Sequence, residues 1–114
     1  MKEFIKIMKA LSDPNRVKMV KMLQKKSMCV CEMQAALGIA QPTVSNHLKV
    51  LEEAGLVSYR KDGLWVNYYA TQGEGSPQAA ALLGSLRGWL EDDPEMADLL
   101  ERLPSIRRED ICRK

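Results

Sequence analysis

A chain of 114 residues, 46% hydrophobic and 28% charged, has room for one domain around a single core. No apolar run approaches the roughly 20 residues of a membrane-spanning helix, so no transmembrane segment is expected. The formal net charge of +2 conceals an asymmetry, since residues 1–70 carry 11 Lys or Arg against 6 acids while residues 71–114 carry 6 against 9. A basic segment favours polyanions through phosphate contacts and counterion release. One Phe, two Trp and three Tyr against seven Met predict an aliphatic, methionine-rich core. Met1 leads straight into an amphipathic stretch without a secretory pattern, which points to the cytoplasm. There, three cysteines argue against a disulfide framework.

Residues 2–11 place Ile5, Met8 and Leu11 at helical spacing, with Phe4 beside them. This amphipathic first helix needs a partner. Ser12-Asp13-Pro14 then punctuates the chain. Ser12 or Asp13 can cap a second helix over 14–23, and Pro14 suits its first turn. Val17, Val20 and Leu23 form its buried side, with Arg16, Lys18, Lys21, Lys25 and Lys26 expected on a solvated face or at its end.

Residues 31–54 read as two helices joined by a tight turn, and the rest of the chain is arranged about them. Glu32 to Leu37 make a short helix that Gly38 stops, because glycine reaches the left-handed conformation at little cost. Pro42 fits the first turn of the next helix, where Val44, Leu48 and Leu51 recur as one apolar stripe. Gln41, Thr43, Ser45, Asn46 and Lys49 occupy its other face. These hydrogen-bonding side chains, with one cation and no acid, suit a helix that enters a major groove and reads base edges. The single histidine, His47, lies within this helix and is expected to pack or to contact DNA rather than to act as a base or ligand.

Ala54-Gly55 ends the second helix. Residues 56–60 and 64–70 read as strands joined by a turn at Lys61-Asp62-Gly63. A hairpin there is a wing, with Arg60 and Lys61 expected at its tip against phosphate or a minor groove. Gln72 to Pro77 is a linker by composition. Beyond it Leu82, Leu83, Leu86, Trp89 and Leu90 line one helix, Glu91 to Pro94 breaks it, and Met96, Leu99, Leu100 and Leu103 line a shorter one. So much apolar surface suggests a symmetric dimer built with the first helix. The reading is therefore a mainly α, winged helix-turn-helix domain over 1–103, followed by a charged, mobile tail over 104–114. No nucleophile–base pair, phosphate loop or histidine-rich zinc site stands out, so an enzyme is not expected.

The run Met28-Cys29-Val30-Cys31-Glu32-Met33, with residues 41–48 and 51–57, resembles the ArsR/SmtB family of metal-responsive winged-helix repressors. The resemblance spans about residues 3–90. It implies a homodimer on a double-stranded, inverted-repeat operator, released when metal binds. The Cys-Val-Cys-Glu element resembles members that sense arsenite or antimonite, with relatives that sense cadmium or lead. A third cysteine often follows in such members at a position that here is Gln34, and residues 78–103 hold no histidine for the zinc site of other members. Arsenite prefers three sulfurs. Cys29 and Cys31 supply two, and the expected third is Cys112, from its own tail or from the partner subunit; a solvent or buffer thiol is the alternative. On a helix, residues at i and i+2 do not face each other, so one ion on both thiols implies local unwinding. A helix N-terminus is also expected to lower the thiol pKa values and keep both cysteines reactive. Two other functions fit the residues: a redox sensor using the same thiols, and a winged-helix protein-interaction module that binds no DNA.

Overall fold

Short polar residues, prolines and glycines decide where the helices of this chain begin and end. A computed structural model describes residues 1–111. Among these, α1 spans Lys2–Ala10, α2 Pro14–Lys25, α3 Val30–Leu37 and α4 Gln41–Glu53. The strands β1 (Val57–Asp62) and β2 (Trp65–Ala70) follow, and then α5 (Pro77–Leu86), α6 (Pro94–Arg102), a 3-10 turn at Leu103–Ser105 and α7 (Arg108–Ile111). Asp13 starts α2 by accepting from the N–H groups of Asn15 and Arg16 at 2.8 and 3.2 Å. Ser76 and Asp93 cap α5 and α6 in the same way. Gly38 ends α3 with φ at 68°, the left-handed value that favours glycine.

The core is built of aliphatic and methionine side chains from every layer. Met19, Met22, Met28 and Met33 are fully buried, together with the α4 stripe of Val44, Leu48 and Leu51. That stripe seats α4 on α2 and α3, and α3 with α4 forms the helix-turn-helix. The antiparallel hairpin pairs Val57 with Ala70 through to Asp62 with Trp65. Met28 adds a single bridge to β2, exchanging backbone hydrogen bonds with Tyr68 at 3.0 and 2.8 Å. No helix among the described residues is long and apolar enough to cross a membrane.

In the placement of its elements and core the structure departs from the sequence reading in five places. In α1 the chain's own core takes Ile7 and Ala10, while Phe4, Ile5 and Met8 stay 39–40% exposed. The helix has two apolar edges, and only one is covered within a single chain. The wing turn is Gly63-Leu64, with Gly63 at φ 66°, because Lys61 and Asp62 are paired to Val66 and Trp65. That is the residue pattern of a type II′ turn, glycine first. Arg60 and Lys61 therefore stand in β1 and not at the tip, which is taken by the exposed Leu64. Helix α5 stops at Leu86, leaving Trp89 and Leu90 in the following turn. Residues 104–111, read from their charge as a tail, fold back: Ile106 is buried and α7 lies on α3. Lys26 holds this segment by donating to the carbonyls of Leu103 and Ile106 at 3.1 and 2.8 Å.

The fifth departure is Lys21, which is buried rather than solvated, with 1% of its surface exposed. Its ammonium donates to the carbonyls of Leu86 and Trp89 and to the Glu91 carboxylate, each at 2.6 Å. It thus caps the C-terminal end of α5, where cations are favoured. The same ammonium holds the Glu91 carboxyl below the usual carboxylate range, first by hydrogen bonding and then by charge. A depressed carboxyl pKa adds stability above its unfolded value, and that stability is lost as pH falls through the folded one. Glu91 is open to solvent, so its own share is small. Replacing Lys21→Met keeps the apolar stem and deletes the donor. We expect it to lower the unfolding free energy by about 2–3 kcal/mol, the range for hydrogen bonds to a charged group, in urea titrations at fixed protein concentration. Glu91→Gln should cost far less.

Candidate nucleic-acid interface and thiol site

Outside its buried stripe α4 carries Gln41, Thr43, Ser45, Asn46 and Lys49, all exposed. Ser45, Asn46 and Lys49 share the side away from the stripe and Thr43 flanks them, while Gln41, three residues before Val44, is exposed at the open first turn on the side of the stripe. His47 stands apart from them. It is half-buried, and its Nδ1 lies 3.2 Å from a guanidinium nitrogen of Arg16. Arg16 was read from the sequence as a solvated cation, and it is instead held by α1: its Nε donates to the Ala10 carbonyl at 2.8 Å.

On the wing, Arg60 and Lys61 are exposed but differently held. The Arg60 guanidinium lies 5.1 Å from the centre of the Tyr69 ring, a cation–π distance that fixes its direction. Tyr59 and Tyr68 pair across the strands with ring centres 5.6 Å apart. Neighbouring strand residues point to opposite faces, so Arg60 and Lys61 serve different sides of the hairpin.

The thiol site begins where an extended segment becomes a helix. Cys29 is the residue before α3, with φ −88° and ψ 170°, and only 4% of it is exposed. Its N–H donates to the Glu32 carboxylate at 2.9 Å, and its sulfur faces the Glu32 N–H, which closes a capping box. Glu32 was not singled out from the sequence, although Cys-x-x-Glu before an apolar run is the cysteine form of the usual Ser-x-x-Glu signal. Burial pushes the Cys29 thiol pKa up, and the backbone N–H groups of Glu32 and Cys31 offset this only in part. This corrects the expectation that the helix start lowers it. Desolvation outweighs the helix terminus because the sulfur lies inside the core and not at a water-facing end.

Cys31 is the second residue of α3 and half-buried. Cys29 is a free thiol, whereas the Cys31 sulfur is disulfide-bonded in this structure, and the two cysteines occupy different backbone regimes, one extended and one helical. Cys112 lies outside the described residues. It follows Ile111 directly in the sequence, and Ile111 lines one surface hollow with Cys31, Gln34, Ala35 and Ile39. Among the described residues no three His, Cys, Asp or Glu side chains cluster as a metal site. The donor atoms themselves are sulfur, which suits soft, thiophilic ions, and the Glu32 carboxylate is engaged in the cap.

Residues 13–59 match the family described as "Bacterial regulatory protein, arsR family". The arsenic resistance transcriptional regulator ArsR1 of Pseudomonas putida is 34% identical over 102 residues, covering 84% of this chain and 79% of that one. Among solved structures, the transcriptional repressor BigR of Xylella fastidiosa is 31% identical, with a TM-score of 0.68 over 81% of this chain and 88% of that one. The homodimeric winged helix-turn-helix DNA-binding domain of Mb0332 from Mycobacterium bovis shares the fold, at 22% identity and a TM-score of 0.65 over 80% of this chain and 81% of that one.

The burial of Cys29 has a kinetic signature. Under reducing conditions at pH 8, iodoacetamide should modify Cys29 measurably more slowly than it does in the urea-unfolded chain, as read by peptide mass mapping. The folded rate should rise with pH over a higher range than the unfolded rate, because the folded thiol ionises later.

Proposed function

The chain belongs to the ArsR family and is a DNA-binding transcriptional repressor, and on that footing we propose that arsenite or antimonite releases it from its operator by binding cysteine thiolates. The ligands are Cys29 and Cys31, with Cys112 as the third sulfur. Cadmium and lead, also thiophilic, are the other candidate inducers. The observation that carries the reading is the position of Cys29. It caps the first helix of the helix-turn-helix and is joined on its other side, through Met28, to the wing.

For both sulfurs to meet at one point, the first turn of α3 must open, since Cys29 and Cys31 are two residues apart across its start. Opening costs the Cys29 N–H its Glu32 partner. Loss of a helix cap is worth about 1 kcal/mol. Allosteric coupling of about 1–3 kcal/mol changes affinity five- to 150-fold, so the cap alone is of the right order. The displacement reaches DNA-facing groups by two routes: α3 packs on α4, and Met28 is bonded to Tyr68 in β2. Binding needs deprotonated thiols, so it should strengthen with rising pH, the more so because burial raises the Cys29 pKa.

In this proposal Gln41, Thr43, Ser45, Asn46 and Lys49 read base edges in the major groove, His47 assists from the flank of α4, and Arg60 and Lys61 hold phosphate. The repressor acts in the cytoplasm as a homodimer on an inverted repeat of double-stranded DNA. The exposed side of α1, with Phe4, Ile5 and Met8, supports self-association, and the Mycobacterium bovis domain of the same fold is homodimeric. Two recognition helices related by a dyad then sit about 34 Å apart, one turn of DNA. A second reading, oxidation of the same thiols, is favoured by α7, which leads to the third cysteine and lies against α3.

The deciding measurement is operator binding by fluorescence anisotropy, on a DNA fragment selected from a random-sequence pool, with arsenite titrated in under reducing conditions. Wild-type protein should lose affinity within the five- to 150-fold range. Cys29→Ser with Cys31→Ser should bind the fragment and ignore arsenite, while Cys112→Ser should need more arsenite for release. Release that survives the double replacement would overturn the proposal. Release by peroxide alone would favour the oxidation reading, and binding indifferent to salt would favour a protein-interaction module.

A further inference from the structure

Arg16 is the third residue of α2, yet its guanidinium leaves that helix for two others. Its Nε donates to the Ala10 carbonyl at 2.8 Å, and one terminal nitrogen donates to the Lys9 carbonyl at 3.3 Å. Both acceptors belong to the last turn of α1, whose final carbonyls have no partner within the helix. The other terminal nitrogen lies 3.2 Å from Nδ1 of His47 in α4. One side chain therefore links the end of α1 to the helix that carries the exposed polar face.

The chemistry of this contact has only one sense. A guanidinium has five donors, no acceptor, and does not deprotonate in proteins. Nδ1 of His47 must accept, so the proton of the neutral ring resides on Nε2. Nε2 lies on the edge of the ring away from Arg16. The ring is half-buried, next in sequence to the exposed Asn46 and the buried Leu48. It sits at the border between the core of α4 and its outward face.

We propose that Arg16 is a positioning residue for DNA reading, which holds His47 as the Nε2–H tautomer and so presents that N–H as a donor to an acceptor atom of the operator. The inference rests on α4 being the DNA-reading helix, as proposed above. Anchorage on Lys9 and Ala10 makes α1 the reference for the ring position. Since α1 also carries the uncovered Phe4, Ile5 and Met8, the dimer-forming helix and the DNA donor share one support. With Nδ1 taken up by the guanidinium, Nε2–H is the ring donor left to face outward.

The chain holds a single histidine, which makes the ring directly observable. In 15N spectra of the reduced full-length protein at pH 8 without DNA, Nε2 should be protonated and Nδ1 bare. Arg16→Met, which keeps the stem and deletes the donors, should give a mixture of tautomers. Against the selected operator, Arg16→Met and His47→Phe should each weaken binding about tenfold, the order of one charge-assisted hydrogen bond. The double variant should be no weaker than His47→Phe, and His47→Gln, whose amide still donates, should recover part of the loss. Dimer mass should not change. Should Arg16→Met fail to fold, Arg16→Lys, with its charge kept and its fork lost, carries the same comparison. A protonated Nδ1 in the wild type, or losses that add in the double variant, would overturn the inference. The ring spectra need no DNA, so they decide the Arg16–His47 pairing separately from whether the protein grips an operator at all.

Discussion

The helix-turn-helix and the wing of this domain meet where one helix begins. The short α3 has Cys29 at its cap, Glu32 folded back onto the Cys29 N–H, and Met28 bonded to the wing just before it. Four consecutive events in the chain are thereby compressed into a few residues: a strand-like bridge, a cap, a helix start and the thiol pair. A helix of eight residues is too short to hold itself together by propensity alone, so its ends and its packing must do so. Its first turn therefore depends on the cap and on the packing of Met28 and Met33 on either side of it.

Around it, three cations tie helix ends together, Lys21 buried and Arg16 and Lys26 half-buried. Lys21 and Arg16 of α2, and Lys26 just after it, satisfy carbonyl groups of other elements: the end of α5, the end of α1, and the segment after α6. Helix ends present unpaired carbonyls, and a positively charged side chain answers both their hydrogen-bonding need and the helix dipole. Helix α2 thus works as a central post with three bolts. The basic excess of the first seventy residues is in part structural, and the surface left for polyanions is correspondingly narrower than the charge count suggests.

Much of the fold was legible because it is local. The α4 stripe, the caps at Asp13 and Gly38, the proline-led helices and the hairpin after Gly55 follow from spacing and from single-residue backbone preferences. What escaped was tertiary. Lys21 finds its partners at Leu86, Trp89 and Glu91, far along the chain, and nothing near Lys21 in sequence announces them. In α1 the pattern shows two apolar edges without saying which one the chain itself covers. The wing turn slipped toward Leu64 because Asp-Gly is a strong turn signal, yet the strand pairing extends one step further and makes glycine the first turn residue. The segment after residue 103 looked like a tail by charge, but Ile106 and the reach of Lys26 outweigh that composition. Of the candidate site, the polar face of α4 was readable as a set. The environment of the Cys29 sulfur was not, since burial depends on all the layers around it.

The wing turn has a further consequence for how such a domain can vary. A ribbon closed by two residues leaves no slack, so every position in β1 is tied in register to one in β2. With the base of the ribbon held, an insertion of one residue between Tyr59 and Arg60 would exchange the sides on which Arg60 and Lys61 emerge and would put them out of register with Asn67 and Val66. Insertion of two there, matched by two in β2, would restore both sides and merely lengthen the arm. Drift in wing length among sequences of this design should therefore proceed in even steps, a parity rule imposed by the pleat.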